Sequence, residues 1–167
     1  MYHLVTGSSG YLGSLIVKKL VQMDIPVKSI DIIEDEEISK ISKFKKLDIT
    51  IYSDFLNDFF KDVVAVHHNA ALVPLTKSGK KFFKANLLGT KNILKVSHQN
   101  KVEHFSHMSS SAIFSKPNKN ENVNYNKRKP TSIYGVSKYQ AELLVEEALN
   151  KNLFKSCSII RPRPIIG

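Results

Sequence analysis

A doubly wound parallel α/β sheet is the fold this sequence predicts. Strand-like and helix-like stretches alternate along the chain, a glycine-rich turn separates the first strand from the first helix, and an acidic residue ends the second strand. Alternation matters most, because two parallel neighbours need a helix-length crossover between them.

Residues 2–6 are a short apolar run that stops at Gly7, and residues 11–23 carry apolar side chains at helical spacing before Pro26. Residues 27–33 read as a second strand, followed by an acidic and then lysine-rich connection and a short third strand over 44–49. A brief helix fits 54–60. Residues 63–67 are continuously apolar, as in a strand buried on both faces, and a long helix follows over 80–98. Residues 102–108 are strand-like again. A loop rich in Asn, Lys and Pro over 115–130 leads to a helix over 133–150, and 154–160 is a last strand before Pro162 and Pro164 stop it. There is no internal repeat, and one domain over 1–167 is expected.

Composition excludes several classes. With 167 residues and 42% hydrophobic content the chain can bury one core, which rules out disordered and fibrous proteins. No apolar run has the length of a bilayer span, and Met1 leads into a strand without a positively charged leader, so a cytoplasmic protein away from membranes is expected. Cys157 stands alone, which excludes an internal disulfide and fits a reducing compartment, where such a thiol acts as a small hydrophobe. The net charge of +10 suits an anionic partner of some kind. Its lysines fall in scattered pairs, Lys18-Lys19, Lys45-Lys46 and Lys80-Lys81, plus one loop cluster, Lys127-Arg128-Lys129. Without zinc-finger spacing or an aromatic-basic pattern, these read as solvated surface, with neither nucleic acid nor metal as partner.

In doubly wound sheets ligands sit beyond the carboxyl ends of the strands, so chemistry is sought just after strands. Gly7-Ser8-Ser9-Gly10-Tyr11-Leu12-Gly13 occupies the first such place. Glycines there allow a tight turn and let backbone N–H groups approach a pyrophosphate, to which the helix N-terminus adds partial positive charge. Asp31 falls at the end of the second strand, where a carboxylate accepts hydrogen bonds from ribose hydroxyls and repels a 2′-phosphate. Glu34 and Asp35 deepen that repulsion, so NAD is expected rather than NADP.

Tyr134 and Lys138 lie four apart at the start of the last long helix, hence on one face. An ammonium beside a phenol stabilises the phenolate and brings a group that titrates near ~10 when free into range for general acid or base work.

Taken with these, Asp48-Ile49, His68-Asn69-Ala70-Ala71, Asn86, Gly89-Thr90, Ser109-Ser110-Ser111 and Arg161-Pro162 make the chain resemble the NAD-dependent epimerase/dehydratase family of extended short-chain dehydrogenases/reductases, which have a Rossmann fold. The resemblance spans essentially the whole chain. It implies that Gly7, Ser9, Gly10, Tyr11, Leu12 and Gly13 cradle the NAD phosphates, that Asp31 holds the adenosine ribose, and that Asp48 and Ile49 lie along the adenine. Ala70 and Ala71 would pass the cofactor's middle, and Tyr134 and Lys138 its nicotinamide end. Asn86 would either touch ligand or serve packing.

The catalytic set so implied is Ser110, Tyr134 and Lys138. In the family the active Ser or Thr stands four positions before an aromatic residue; Phe114 fills that place here and points to Ser110, with Ser111 the alternative. Sugar dehydratases of the group place an Asp-Glu pair after that residue, whereas Ser111-Ala112 follows Ser110, so dehydration is disfavoured. What remains is hydride chemistry through a keto intermediate, either epimerisation of a nucleotide-activated sugar or net oxidation. A dehydrogenase of a non-sugar alcohol, such as a sterol-like substrate, and a non-catalytic NAD-binding module are the alternatives. Family members continue past the Arg-Pro strand into a C-terminal substrate lobe that is absent from this chain, so the sequence reads as truncated, with weak NAD binding and little turnover expected. Members often form homodimers through helices equivalent to 80–98 and 133–150.

Overall fold

The computed structural model describes residues 1–74, 78–114 and 127–165, so 115–126 of the expected loop lies outside the described residues. Six strands form one sheet: β1 (Tyr2–Thr6), β2 (Val27–Asp31), β3 (Lys43–Lys46), β4 (Val63–His68), β5 (His104–Met108) and β6 (Ser156–Ile160). Every pairing is parallel, and the order is β3-β2-β1-β4-β5-β6, the doubly wound arrangement with its switch point between β1 and β4.

Neighbouring residues of a strand point to opposite faces, so each strand feeds two cores. On one face Val5 and Val27 pack with Val17 and Leu20 of α1 (Tyr11–Gln22) and Ile38 of α2 (Glu36–Ile41). On the other, Leu4, Ile30, Val66 and Phe105 pack against Leu56 of α3 (Asp54–Phe59), Ile93 and Val96 of α4 (Gly89–Gln99), and Val145 and Ala148 of α5 (Ile133–Asn150). Cys157 is half-buried at the edge of this larger core, where burial pushes its thiol up. Among the described residues no helix is long and apolar enough to cross a membrane.

β3, β5 and β6 are shorter than the sequence pattern suggests, and three further departures have a visible cause. β2 stops at Asp31 rather than at residue 33, because the Asp31 carboxylate takes the N–H groups of Ile32 (2.7 Å) and Ile33 (3.1 Å) and turns the chain out of the sheet. The acidic connection after it holds a helix, α2: Asp35 Oδ1 accepts from the N–H groups of Glu37 and Ile38, both at 3.0 Å, and Ile38 is fully buried. The helix expected over 80–98 is divided into a π-helical turn, Phe83–Leu88, and α4. The wider turn aims Asn86 inward, where its amide meets Leu72 and Ser137 (below).

Candidate active site

Gly7 follows β1 with φ +69°, in the left-handed region, and a Cβ there would lie 2.7 Å from the Ala70 nitrogen. A Cβ on Gly13 would lie 2.0 Å from the Gly7 carbonyl oxygen, so the first turn of α1 presses directly on the loop that precedes it. α1 begins at Gly10 with no side-chain cap and no acidic residue in its first turn. Its leading amides, including those of Tyr11 and Leu12, are therefore open to an anion, whereas α2, α3 and α5 are capped by Asp35, Ser53 and Ser132. Asp31 is joined to this turn: its Oδ2 accepts the Ser9 N–H at 3.0 Å, while Ser9 Oγ donates to the Ile33 carbonyl at 2.6 Å.

The other residues drawn from the resemblance divide into two groups. Asp48 Oδ1 accepts from the Thr50 N–H at 2.8 Å and shapes the turn after β3. Ile49 buries its side chain in the larger core and its carbonyl accepts from Asn92 Nδ2 at 2.9 Å. Ala70 and Ala71 follow β4, both half-buried, with Ala70 beside Gly7. Asn86 is a brace: its Oδ1 accepts from the Leu72 N–H (2.7 Å), and its Nδ2 donates to the Leu72 carbonyl (3.1 Å) and to Ser137 Oγ (3.0 Å). Asn86 is thus bonded to the Leu72 backbone and to the Ser137 hydroxyl.

A continuous line of hydrogen bonds runs from the glycine turn toward α5. The Ala70 N–H donates to Thr6 Oγ1 (3.2 Å), which meets His68 Nδ1 at 2.7 Å; His68 Nε2 meets Thr90 Oγ1 at 2.9 Å, and Thr90 donates to the Asn86 carbonyl at 2.6 Å. Through Asn86 it reaches Ser137, whose hydroxyl donates to the Tyr134 carbonyl at 2.7 Å. Sequence reasoning noted His68 and Thr90 only as parts of motifs and gave them no role. Their pairing across two elements leaves no local signal.

At the far end of the sheet, Ser110 caps a short 3₁₀ turn, Ser111–Ile113, its Oγ accepting from the Ala112 N–H at 3.1 Å. The Ser111 N–H donates to the Pro162 carbonyl at 2.9 Å, which fixes the turn to the chain leaving β6. α5 lies flush on that turn: a Cβ on Gly135 would stand 2.3 Å from the Ala112 carbonyl oxygen. This contact sets Tyr134 beside the serine turn. The Tyr134 ring packs edge-on against Phe82, with centroids 5.7 Å apart.

One turn on, Lys138 is 2% exposed and its Nζ donates to the Met108 carbonyl at 2.5 Å, just before Ser109 and Ser110. Burial lowers its pKa to about 8, against a raising influence from Glu142. Two buried histidines flank it. Burial, and secondarily Lys138, lower His68 to about 3 and hold His107 well below its ordinary value. Both are neutral at physiological pH, and they stack with centroids 5.4 Å apart.

Sequence reasoning missed the charges behind Lys138. Glu142, fully buried, accepts from Arg161 Nε and Nη2 at 3.1 and 2.9 Å and from Arg128 Nη1 at 2.8 Å. Arg128 also reaches Glu146, so this member of the loop cluster is not the solvated residue its neighbours suggest. Ser109 Oγ lies against the same carboxylate outside normal hydrogen-bond geometry, and the arginines carry the pairing. Continued four-residue spacing from Tyr134 through Lys138 to Glu142 was the signal available. Among the described residues no group of three or more His, Cys, Asp or Glu is arranged to hold a metal.

Comparison with known proteins places the chain among relatives of the same fold. A putative UDP-glucose 4-epimerase of Methanocaldococcus jannaschii is 32% identical over 151 residues, 83% of this chain and 48% of that protein. An uncharacterized protein, y4nG, of Sinorhizobium fredii is 31% identical over 98% of this chain and 41% of its own length. The crystal structure of Thermus thermophilus UDP-glucose 4-epimerase in complex with NAD superposes with a TM-score of 0.86 at 26% identity, covering 96% of this chain and 54% of that one. The chain therefore spans about half the length of the relatives it matches. The model of the NAD dependent epimerase/dehydratase family matches residues 3–166, and the chain belongs to that family.

Proposed function

We propose that this chain forms the NAD-binding and catalytic part of an epimerase that inverts a carbinol centre of a nucleotide-activated sugar through a transient keto intermediate. The observation that carries the reading is the junction of α5 with the serine turn. There Gly135 meets the Ala112 carbonyl and Lys138 is fastened to Met108, so Tyr134, Lys138 and Ser110 stand on one short stretch of contact.

The residues present fit NAD. A turn with no room for side chains at Gly7 and Gly13 leads into uncapped amides that suit a pyrophosphate, and Asp31, held by Ser9, suits an unphosphorylated ribose. When bound, NAD supplies the hydride acceptor. Tyr134 takes the hydroxyl proton from the carbon that loses hydride, while Ser110, or Ser111 in its place, hydrogen-bonds the same oxygen. Lys138 supplies the positive charge against which the phenolate forms. Once the sugar has turned over and hydride has come back to the other face of the same carbon, Tyr134 returns the proton to the oxygen, which completes the inversion. Asp48 and Ile49 would border the adenine, and Ala70 and Ala71 the middle of the cofactor. Action in the cytoplasm and pairing of two copies through α4 and α5 belong to the same proposal.

Calorimetric titration of the chain with NAD and with NADP tests the first half: NAD should bind at least ~10-fold more tightly, and absence of NAD binding overturns the reading. A panel of nucleotide sugars offered to a full-length form, scored chromatographically for epimers, tests the second. Tyr134→Phe should leave NAD affinity within about twofold and cut turnover by ~100-fold or more.

A further inference from the structure

α5 carries Tyr134, Lys138, Glu142 and Glu146 at four-residue spacing, a single stripe in which each group neighbours the next. Lys138 and Glu142 are both buried, at 2% and 0% exposure, and an ammonium and a carboxylate one turn apart in the interior would ordinarily pair. Here the Lys138 Nζ bond runs to the Met108 carbonyl, and Glu142 is engaged from outside the helix. Arg161 grips it with two nitrogens from the end of β6, and Arg128 adds a third donor from the segment that precedes α5. Burial works to raise the Glu142 carboxyl; Arg161 foremost, then the neighbouring Ser109 and Arg128, overcome it and hold the group below its usual range. Two arginines thereby balance the two carboxylates, Glu142 and Glu146, and Lys138 is left as the surplus cation.

Arg128 is the arginine with a second attachment. Its backbone pairs in an isolated antiparallel bridge with Phe114, just past the serine turn, and its guanidinium lies 5.2 Å from the centre of the Tyr139 ring. Pro130, two residues on, stands where a Cβ on Gly135 would approach it to 3.1 Å. Arg128 thus joins the segment beyond Ser110 through its backbone, and Tyr139 and the carboxylates Glu142 and Glu146 of α5 through its guanidinium.

We propose that Arg128 is a positioning residue for Lys138: by neutralising Glu142 jointly with Arg161, it keeps that carboxylate from capturing the ammonium and leaves Lys138 free to face Met108 and a bound ligand. The inference rests on the reading of Tyr134 and Lys138 as the catalytic pair. The titratable groups that interact with Lys138 are Glu142 on its own helix, His68 on β4 and His107 on β5; with both histidines neutral, Glu142 is the one carboxylate acting on it.

The test follows Lys138 itself, by ¹³C NMR of the lysine ε-carbons of the whole chain, with the resonance assigned through Lys138→Met. Arg128→Met keeps an apolar stem against Tyr139 and removes the charge. It should raise the Lys138 midpoint by about half a unit or more, and Arg128→Lys should restore the native value. Glu142→Gln examines the same link from the other side and should lower the midpoint, which keeps the test open if Arg128→Met does not fold. A midpoint unmoved in folded Arg128→Met, or unmoved in Glu142→Gln, overturns the proposal, and a purely structural brace would lower the melting temperature without moving it. The measurement involves neither NAD nor turnover. A moved midpoint in a chain that binds no NAD therefore counts against the proposed function alone.

Discussion

The turn after β1 and the turn after β5 stand at carboxyl ends of the same sheet, yet they are made in opposite ways. The first is closed by absence: Gly7 and Gly13 leave no space for a Cβ, and the helix that follows offers bare amides. The second is closed by buried polar groups, with Lys138 on the Met108 carbonyl, His107 stacked on His68, and Glu142 between two arginines. Backbone shape suffices to hold a phosphate, which asks only for donors. Moving a proton asks for groups whose charge is set by surroundings, and those surroundings come from four different elements.

Four experiments can break or sharpen this contrast. The largest effect belongs to the glycine turn: Gly13→Val puts side-chain atoms where the Gly7 carbonyl stands, and should cost about 4 kcal/mol or more, seen as loss of the cooperative urea transition. Glu142→Ala comes next. It leaves Arg161 and Arg128 with Glu146 alone beside an emptied site and should cost ~3 kcal/mol in the same assay; a cost under ~1 kcal/mol would show that the second turn does not depend on its charges.

Acid is the third perturbation, and its sign is fixed by burial. In the unfolded chain the histidines titrate near ~6.5, while folded His68 titrates at about 3 and His107 well below its ordinary value. Above pH ~6.5 both states hold these rings neutral and stability is flat. Below it the unfolded chain gains protons that the folded chain refuses, so each ring removes up to ~1.4 kcal/mol per pH unit until pH approaches its folded value. Urea midpoints measured between pH 7.5 and 4.5 should fall on the acid side, and His107→Phe should make that fall shallower. The smallest effect returns to the first turn. Gly10→Ala sets a Cβ 3.3 Å from the Gly7 carbonyl, a contact that a slight shift relieves, and should cost under ~1 kcal/mol.

The same contrast governs how much could be read from the amino-acid sequence. The glycine turn, Asp31, the parallel sheet and the full extent of α5 were legible, since each depends on neighbours close in the chain or on plain apolar periodicity. α2 was not, because a single Asp35 cap and one buried Ile38 make a helix too short for periodicity to register. The π turn was hidden for a related reason: its apolar spacing is that of an ordinary helix, and only the partners of Asn86 at Leu72 and Ser137 reveal the extra residue. Arg128 was read as part of a solvated cluster. Its carboxylates stand 14 and 18 residues away on α5, beyond any local pattern.

The line from Ala70 to Asn86 fixes where His68 carries its proton. Thr90 spends its hydroxyl hydrogen on the Asn86 carbonyl, so toward His68 it can only receive, and Nε2 must be the protonated nitrogen. Nδ1 then offers a lone pair to the Thr6 hydroxyl, whose own oxygen is already taken by the Ala70 amide. Each link faces the same way, from the glycine turn toward α5. The imidazole is thereby confined to one tautomer, with a slowly exchanging Nε2 proton that ¹⁵N spectra can observe directly.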